Sequence, residues 1–200
     1  MQPIKDNIHQ KLVETGRLLV QEKGTEFLTA RKLSEASGCS IGTIYNQFAS
    51  MDDFIAEQNE ITLTDLYSYL NQIPCGKNIY QNINAYVDCF VEFVLNNRQL
   101  WFLLYTFHLN NKNYNLSLSY KKLLVRLGTF ADRDFALAFP GIGHKRLKLS
   151  AQVLSFSLMA LSSLLTTNVL DGMRLINRNN LCKLMLNTYL AGLMMLNRGV

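Results

Sequence analysis

Residues 29–54 read TARKLSEASGCSIGTIYNQFASMDDF, and this stretch decides the fold. Thr29 has a side-chain oxygen that can cap a helix, and the residues 30–37 that follow it have the apolar spacing of a short helix. Gly38 tolerates the left-handed conformation that ends such a helix. Ser40 can cap a second short helix directly afterwards. The sequence therefore predicts two short helices joined by a glycine-containing turn.

Two short helices joined in this way are the signature of the helix-turn-helix motif. Ser34 and Ala36 are small enough for the second helix to approach the first, and Gly38 supplies the positive φ of the turn. The apolar side chains spaced to form a small core are Leu19, Phe27, Leu33, Ile44 and Phe48. The second helix should present outward a set of short or hydrogen-bonding groups suited to a nucleic-acid groove: Ile41, Gly42, Thr43, Tyr45 and Asn46.

Helical spacing continues on both sides of the motif, and no strand-like alternation stands out. A first helix is predicted from about Ile4 to Lys23, with Gly24 as its stop. Ser50 should cap a fourth helix that reaches about Leu70, with Asp52 and Asp53 near its positive end. Further helices are predicted near 77–96, 99–109, 116–137, 145–169 and 178–197, separated by breaks at Pro74–Gly76, 110–115, 139–143 and Asp171–Gly172. The fold class is therefore all-α, with about nine helices.

The segment 8–58 resembles the head of the tetracycline-repressor (TetR) family. The matching runs are Leu12-Val13, Thr15-Gly16, Leu19-Val20 and Gly24, then Thr29, Leu33-Ser34, Ser37-Gly38-Cys39-Ser40, Gly42-Thr43-Ile44-Tyr45 and Phe48. The resemblance implies a three-helix helix-turn-helix domain over residues 1–50. It also implies a helical ligand-sensing and dimerisation domain over residues 51–200.

The resemblance further implies a transcriptional regulator that binds double-stranded DNA. In relatives the residues that match Thr43 and Tyr45 contact DNA, the tyrosine chiefly at phosphates. The full set of expected DNA-binding residues is Thr29, Ser40, Ile41, Gly42, Thr43, Tyr45, Asn46 and Gln47. The resemblance also implies that a homodimer binds a palindromic operator and represses transcription. An unknown small ligand would release the homodimer from the DNA.

The charge distribution and two positions depart from the family pattern. Residues 1–60 hold six Lys and Arg against nine Asp and Glu, a net charge of −3, whereas residues 61–200 carry +8. DNA-binding heads are ordinarily basic. Ile41 stands where a basic or polar residue is common, and Met51 where a phosphate-binding lysine is common. The acidic head and Met51 leave open a TetR-like interaction module that no longer binds DNA. Helix spacing alone would also leave open an αα-hairpin in a helical bundle.

The body is rich in aromatic residues, since fifteen of the 21 aromatics lie between residues 61 and 140. Tyrosines and a tryptophan among apolar residues are typical of a pocket for an apolar or aromatic ligand. The candidate lining residues are Tyr67, Tyr86, Phe90, Phe93, Trp101, Phe102, Tyr105, His108 and Phe130. The alternative is that these rings form an aromatic-rich core.

The last two predicted helices are apolar on more than one face, which favours a twofold four-helix interface between two chains. The candidate interface residues are Val153, Leu154, Leu158, Leu161, Leu165, Leu184, Tyr189, Leu193 and Met194. The uncharged stretch 149–168 contains nine hydroxyl or amide side chains, too many for a span that faces lipid. We therefore predict no membrane association.

Motifs of other protein classes are missing from the sequence. The four cysteines form no CxxC pair, and no GxSxG, HExxH, P-loop or Rossmann glycine pattern occurs. We therefore expect no enzymatic activity, no catalytic residues, no metal and no cofactor. The amino terminus lacks the apolar core of a secretory signal, which predicts a cytoplasmic location.

Overall fold

The computed structural model describes residues 2–73, 76, 78–111, 113–167 and 180–198, with side chains from residue 7 onward. Every regular element in these residues is helical, which confirms the all-α prediction. The α-helices are α1 (Gln2–Lys23), α2 (Ala30–Ser37), α3 (Ile41–Gln47), α4 (Met51–Leu70), α5 (Ile79–Asn96), α6 (Arg98–Asn110), α7 (Leu118–Gly128), α8 (Asp132–Ala138), α9 (His144–Leu165) and α10 (Leu181–Asn197). A single 3-10 turn, Thr25–Phe27, follows α1.

The single helix predicted over 116–137 is wrong, because the chain breaks it into α7 and α8. The Thr129 hydroxyl donates to the carbonyl of Val125 at 2.9 Å, and the Asp132 amide donates to the Thr129 carbonyl at 3.1 Å. These local bonds make a turn that redirects the chain. The predicted breaks at Pro74–Cys75 and Asp171–Gly172, and the helix ends at 168–169 and 178–179, lie outside the described residues.

The chain forms two compact units: Met1–Thr64 with Asn97–Ser117, and Asp65–Asn96 with Leu118–Val200. The first unit therefore contains α6 as well as the amino-terminal helices, and its limits differ from the predicted domain boundary at residue 50. The cause is visible in the core, because Leu100 and Leu103 of α6 are buried among side chains of α1. The division of function between residues 1–50 and 51–200 stays a prediction.

The core of the first unit joins the two short helices to their neighbours. Its buried members are Leu12, Val13, Leu19, Val20, Leu28, Leu33, Ile44, Phe48, Phe54, Leu100 and Leu103. Four of the five predicted core residues are among them, but Phe27 is only half-buried. Phe27 ends the 3-10 turn, and the backbone there directs Leu28 inward instead, with 6% of its surface exposed.

The second unit is built around α5, which contacts α8, α9 and α10. Ile83, Val87 and Val94 of α5 are almost fully buried, at the four- and seven-residue spacing of a helix with one face in a core. The Lys183 ammonium of α10 lies 3.4 Å from the Asp88 carboxylate of α5.

Helix α9 is, by length and composition alone, long and apolar enough to cross a membrane. Core helices of soluble proteins pass the same test, and a third of its most apolar window is buried inside the protein. The prediction of no membrane association stays a prediction.

Candidate nucleic-acid interface

The two short helices begin and end at the residues that the sequence indicates. Thr29 caps α2, since its hydroxyl oxygen accepts the Lys32 amide at 3.3 Å, and Gly38 ends α2 with φ of +69°. Ser40 caps α3 by accepting the Thr43 amide at 3.0 Å. These local bonds satisfy backbone groups that the helix ends would otherwise leave unpaired, and they fix the turn between the helices.

Helix α3 has one buried face and one open face. Ile44 is fully buried in the core, whereas Ile41 and Tyr45 are 46% and 48% exposed. Of the expected DNA-binding residues, the exposed ones are Thr29, Ser40, Ile41, Gly42, Tyr45 and Asn46, and the half-buried ones are Thr43 and Gln47. The structure thus places all eight on or beside α3 or at the start of α2. Their contact with DNA stays a prediction.

Aromatic packing attaches the end of α3 to α1 and α4. The Phe48 ring stacks on the His9 ring with 4.6 Å between centroids, and it meets the Phe54 ring edge-on at 4.7 Å. The His9 Nε2 atom lies 2.7 Å from a carboxylate oxygen of Glu57. Gly16 of α1 faces the Phe54 ring so closely that a Cβ atom there would lie 2.5 Å from its Cζ atom.

A polar group between α1 and α4 strengthens this attachment. The Arg17 guanidinium donates to the Gln58 carbonyl at 3.2 Å and to the Thr62 hydroxyl at 3.1 Å. The Gln58 side-chain amide donates to the Val13 carbonyl at 3.0 Å, and Gln58 is fully buried. Spacing alone does not reveal such a group, because the partners are more than 40 residues apart.

The segment after α6 is tied to the start of α4 within the same unit. The Tyr114 hydroxyl donates to the Asp53 carboxylate at 2.5 Å, and the Ser50 hydroxyl donates to the same carboxylate at 2.7 Å. These hydrogen bonds hold the pKa of Asp53 below its usual value. Burial, and then the carboxylate, raise the pKa of Tyr114 to about 12. Neither this contact nor the packing of α6 in the core is evident from the spacing of residues in the sequence.

Both basic side chains of α2, which packs against α3, are paired with one acid. The Arg31 and Lys32 side chains each lie 3.0 Å from a carboxylate oxygen of Glu35, and these contacts lower the pKa of Glu35. Met51, at the start of α4, packs half-buried against the core instead of offering a cation. Any DNA contact made here relies more on shape and hydrogen bonding than is usual for such a domain.

Comparison with known proteins agrees with this geometry. The model of the family described as "Bacterial regulatory proteins, tetR family" matches residues 12–57, which hold the helix-turn-helix and its flanking helices. Residues 12–57 are therefore similar to the amino-terminal domain of tetR-family regulators.

Solved structures of the tetR fold extend the likeness over nearly the whole chain. A tetR-family transcriptional regulator from Streptomyces coelicolor has a TM-score of 0.71 at 15% identity, covering 97% of this chain and 83% of that chain. The structure of RolR with its ligand resorcinol has a TM-score of 0.57 at 15% identity, covering 94% and 90%. At these identities the likeness establishes the fold alone.

One curated relative is similar in sequence. The nucleoid occlusion factor SlmA of Glaesserella parasuis serovar 5 is 32% identical over 97 residues, which are 47% of this chain and 47% of the relative. The match thus spans about half the length of that curated protein.

In the second unit, predicted ligand residues form an aromatic group. The Tyr86 and Phe130 rings stack at 5.4 Å, the Tyr67 ring meets Phe130 edge-on at 6.1 Å, and the Arg126 guanidinium lies 5.4 Å from the Tyr67 ring centre. Burial raises the pKa of Tyr86 to about 12. Phe90 and Phe93 are also buried in this unit.

The remaining predicted ligand residues lie on α6 in the first unit. Trp101 is 1% exposed, while Phe102, Tyr105 and His108 are half-buried. Burial lowers the pKa of His108. The nine candidates are thus divided between the two compact units, and whether any of them binds a ligand stays a prediction.

Four of the predicted interface residues are buried in the chain's own core and cannot present a surface to a second chain: Leu154, Leu158, Leu165 and Leu193. The others are exposed or half-buried. The apolar side chains that α9 and α10 do expose are Leu149, Val153, Phe156, Leu164, Leu184, Met194, Met195 and Leu196. An apolar groove of about 950 Å³, here called the α9–α10 groove, runs between the two helices, with Leu161, Leu184 and Tyr189 in its lining.

Proposed function

We propose that this protein is a ligand-responsive repressor that binds a palindromic operator as a homodimer and is released by a small apolar or aromatic ligand. The observation that carries the proposal is the open face of α3, where Ile41, Gly42, Tyr45 and Asn46 are exposed on a helix that the family uses to bind DNA. A recognition helix of this kind enters the major groove and contacts base edges.

The exposed apolar surface of α9 and α10 supports the dimer. Phe156 of α9 is 67% exposed, and Leu184 of α10 is 64% exposed and lines the α9–α10 groove with further aliphatic side chains. Exposed apolar surface of this kind favours an interaction site. A second copy covers it most simply, because a twofold axis brings α9 and α10 of both chains into one four-helix interface. The same axis relates two α3 helices, which is why the operator should be palindromic.

Helix α6 supports the response to a ligand. Leu100 and Leu103 lie in the same core as Ile44 of α3, and the same helix carries Trp101, Phe102 and Tyr105. A ligand that contacts the aromatic residues of α6 would therefore act on a helix that packs in the DNA-binding unit. RolR, which shares the fold, has been solved with resorcinol, an aromatic ligand. The ligand must bind one conformation better than the other, since equal affinity shifts nothing.

Asn59 of α4 is a further candidate for ligand binding. Its side chain is fully buried, and neither its amide oxygen nor its amide nitrogen has a hydrogen-bond partner among the described residues. Buried polar groups are nearly always paired, so an unpaired one needs an explanation. A hydrogen-bonding group on an otherwise apolar ligand would supply both missing bonds.

Selection of binders from random duplexes tests the proposal. The full chain should enrich an inverted repeat, and Tyr45→Ala should weaken binding to all duplexes, whereas Thr43→Ala should also change the preferred sequence. Leu18→Ala is the matched control, since Leu18 is a large exposed side chain of the same unit, on α1, and its loss should leave binding unchanged. Failure to enrich any inverted repeat would favour the alternative, a TetR-like interaction module that no longer binds DNA. The net charge of −3 over residues 1–60 is the observation behind that alternative.

A further inference from the structure

We infer that Ile41 determines operator specificity by reading the 5-methyl group of a thymine in each half-site. The inference rests on the proposed function, and it names a chemical preference that the family resemblance leaves open. Ile41 is the first residue of α3 and is 46% exposed. The amino-terminal residues of a recognition helix are the ones that reach base edges in the major groove.

The chemical groups in the major groove favour the thymine methyl as the partner of Ile41. Every base pair presents hydrogen-bond donors or acceptors there, and thymine adds an apolar methyl group. An isoleucine side chain offers no hydrogen bond, so placing it against a polar base edge would remove water from that edge without replacing its bonds. Contact with the thymine methyl buries apolar surface on both sides and leaves no polar group unpaired.

The residues beside Ile41 do not compete with it for the thymine methyl group. The Ser40 and Thr43 hydroxyls are 2.8 Å apart and hydrogen-bonded to each other, and Ser40 also caps the helix. Gly42 has open space around it, since the nearest atom to a Cβ placed there would be the Ser40 hydroxyl oxygen at 3.7 Å. The start of α3 can therefore approach the base edges closely, with Ile41 as its large side chain.

The contact between Ile41 and thymine should supply a larger share of the binding free energy here than it would in a basic DNA-binding domain. The Arg31 and Lys32 side chains are paired with Glu35, and Met51 takes the place of a phosphate-binding lysine. Phosphate contacts carry no sequence information, so a head with few of them owes more of its affinity to the bases. Removing one methyl contact should cost about three- to fivefold in affinity per half-site, the effect of about one buried methylene group.

The test compares thymidine with deoxyuridine, which lacks only the methyl group. Deoxyuridine replaces thymidine at one position at a time, in both half-sites of the selected duplex, and dissociation constants are measured for the wild type, Ile41→Val and Ile41→Ala. At one position we expect deoxyuridine to weaken wild-type binding by about 10- to 25-fold over the two half-sites. Ile41→Ala should bind the thymidine duplex about that much more weakly and should no longer distinguish the two bases, while Ile41→Val should retain part of the difference.

The outcomes separate this inference from the proposed function. An enriched palindrome that the wild type binds equally well with deoxyuridine at every position would overturn the inference and leave the proposed function standing. A thymidine preference that persists unchanged in Ile41→Ala would also overturn it, because another group would then read the methyl. If no duplex is enriched at all, both are wrong. Circular dichroism of Ile41→Ala should match that of the wild type, since the side chain is exposed.

Discussion

Gly16 shows how one missing side chain sets the crossing of α1 and α4. A Cβ atom at this position would lie 2.5 Å from the Phe54 Cζ atom, and Phe54 is fully buried, so its ring has no free space to move into. Gly16→Ala should therefore lower the free energy of unfolding by roughly 1–3 kcal/mol, as overpacking does. Urea unfolding measures this.

Gly128→Ala is the control for that substitution. Gly128 ends α7 and has nothing within 4 Å of a Cβ placed on it. Alanine favours helix more than glycine does, so this change should be neutral or slightly stabilising. Equal losses at Gly16 and Gly128 would contradict the close α1–α4 contact.

Tyr114 is the residue by which the segment after α6 is attached to α4. Tyr114→Phe removes its hydrogen bond to Asp53 and should cost about 1 kcal/mol or less, since the pair is partly exposed. Because the pKa of Asp53 is lowered, its contribution to stability is present above the ordinary carboxyl pKa and is lost as the pH falls through the lowered one. The difference between wild type and variant should thus shrink as Asp53 is protonated. A difference that stays constant over that acid range in denaturant unfolding would argue against the contact.

Asn59 carries a prediction of its own at this scale. Because its buried amide has no partner among the described residues, Asn59→Leu should raise the free energy of unfolding by about 1–3 kcal/mol. If Asn59 binds the ligand, the same variant should lose ligand affinity while it keeps operator affinity. Gain of stability without any change in ligand binding would leave Asn59 outside the ligand site. Loss of stability would mean that its amide is paired.

At the scale of elements, the boundaries of the helices around α3 could be predicted because they depend on neighbours in the chain. Thr29, Gly38 and Ser40 act on backbone groups within three or four residues, and the structure confirms all three. The residues against which each apolar helix face packs could not be predicted in the same way. Helical spacing showed that α6 has an apolar face, but the contact of Leu100 and Leu103 with residues about 80 positions earlier is set by packing.

The same difference explains why four of the predicted interface residues are buried in the chain's own core. Helices α9 and α10 are apolar on more than one side, and the sequence does not say which side packs internally. Leu154 and Leu158 are 2% and 0% exposed, whereas Phe156, which the sequence analysis did not select, is 67% exposed. The rotation of α9 about its own axis relative to the core decides which of these side chains are buried. That rotation is set by packing in the folded chain.

The exposed apolar side chains of α9 and α10 give a prediction about assembly. Phe156→Glu places a charge on the exposed apolar surface of α9, and Leu184→Glu places one in the lining of the α9–α10 groove, so both should convert a dimer to a monomer at micromolar concentration and weaken operator binding. Leu118→Glu is the matched control, because Leu118 is 68% exposed on α7, and it should leave the dimer intact. Light scattering distinguishes these results. A wild-type monomer, or a dimer that withstands both changes, would mean that the groove does not hold a second copy.

At the scale of the whole molecule, the proposed function requires one chain both to bind an operator and to respond to a ligand. Thermodynamic linkage requires the two binding events to affect each other equally. Typical coupling free energies are about 1–3 kcal/mol, which corresponds to a five- to 150-fold change in affinity. Trp101 is the only tryptophan in the sequence and lies buried on α6, so its fluorescence reports on that helix alone.

The most direct measurement is therefore a single titration that records Trp101 emission and operator affinity together, with small aromatic compounds such as resorcinol as the first probes. The account predicts that an effective compound changes the emission and weakens operator binding about five- to 150-fold over the same concentration range. A compound that releases the operator while Trp101 emission stays constant would contradict the role of α6. A compound that binds tightly and changes the emission while operator affinity stays fixed would contradict the coupling of ligand and DNA binding.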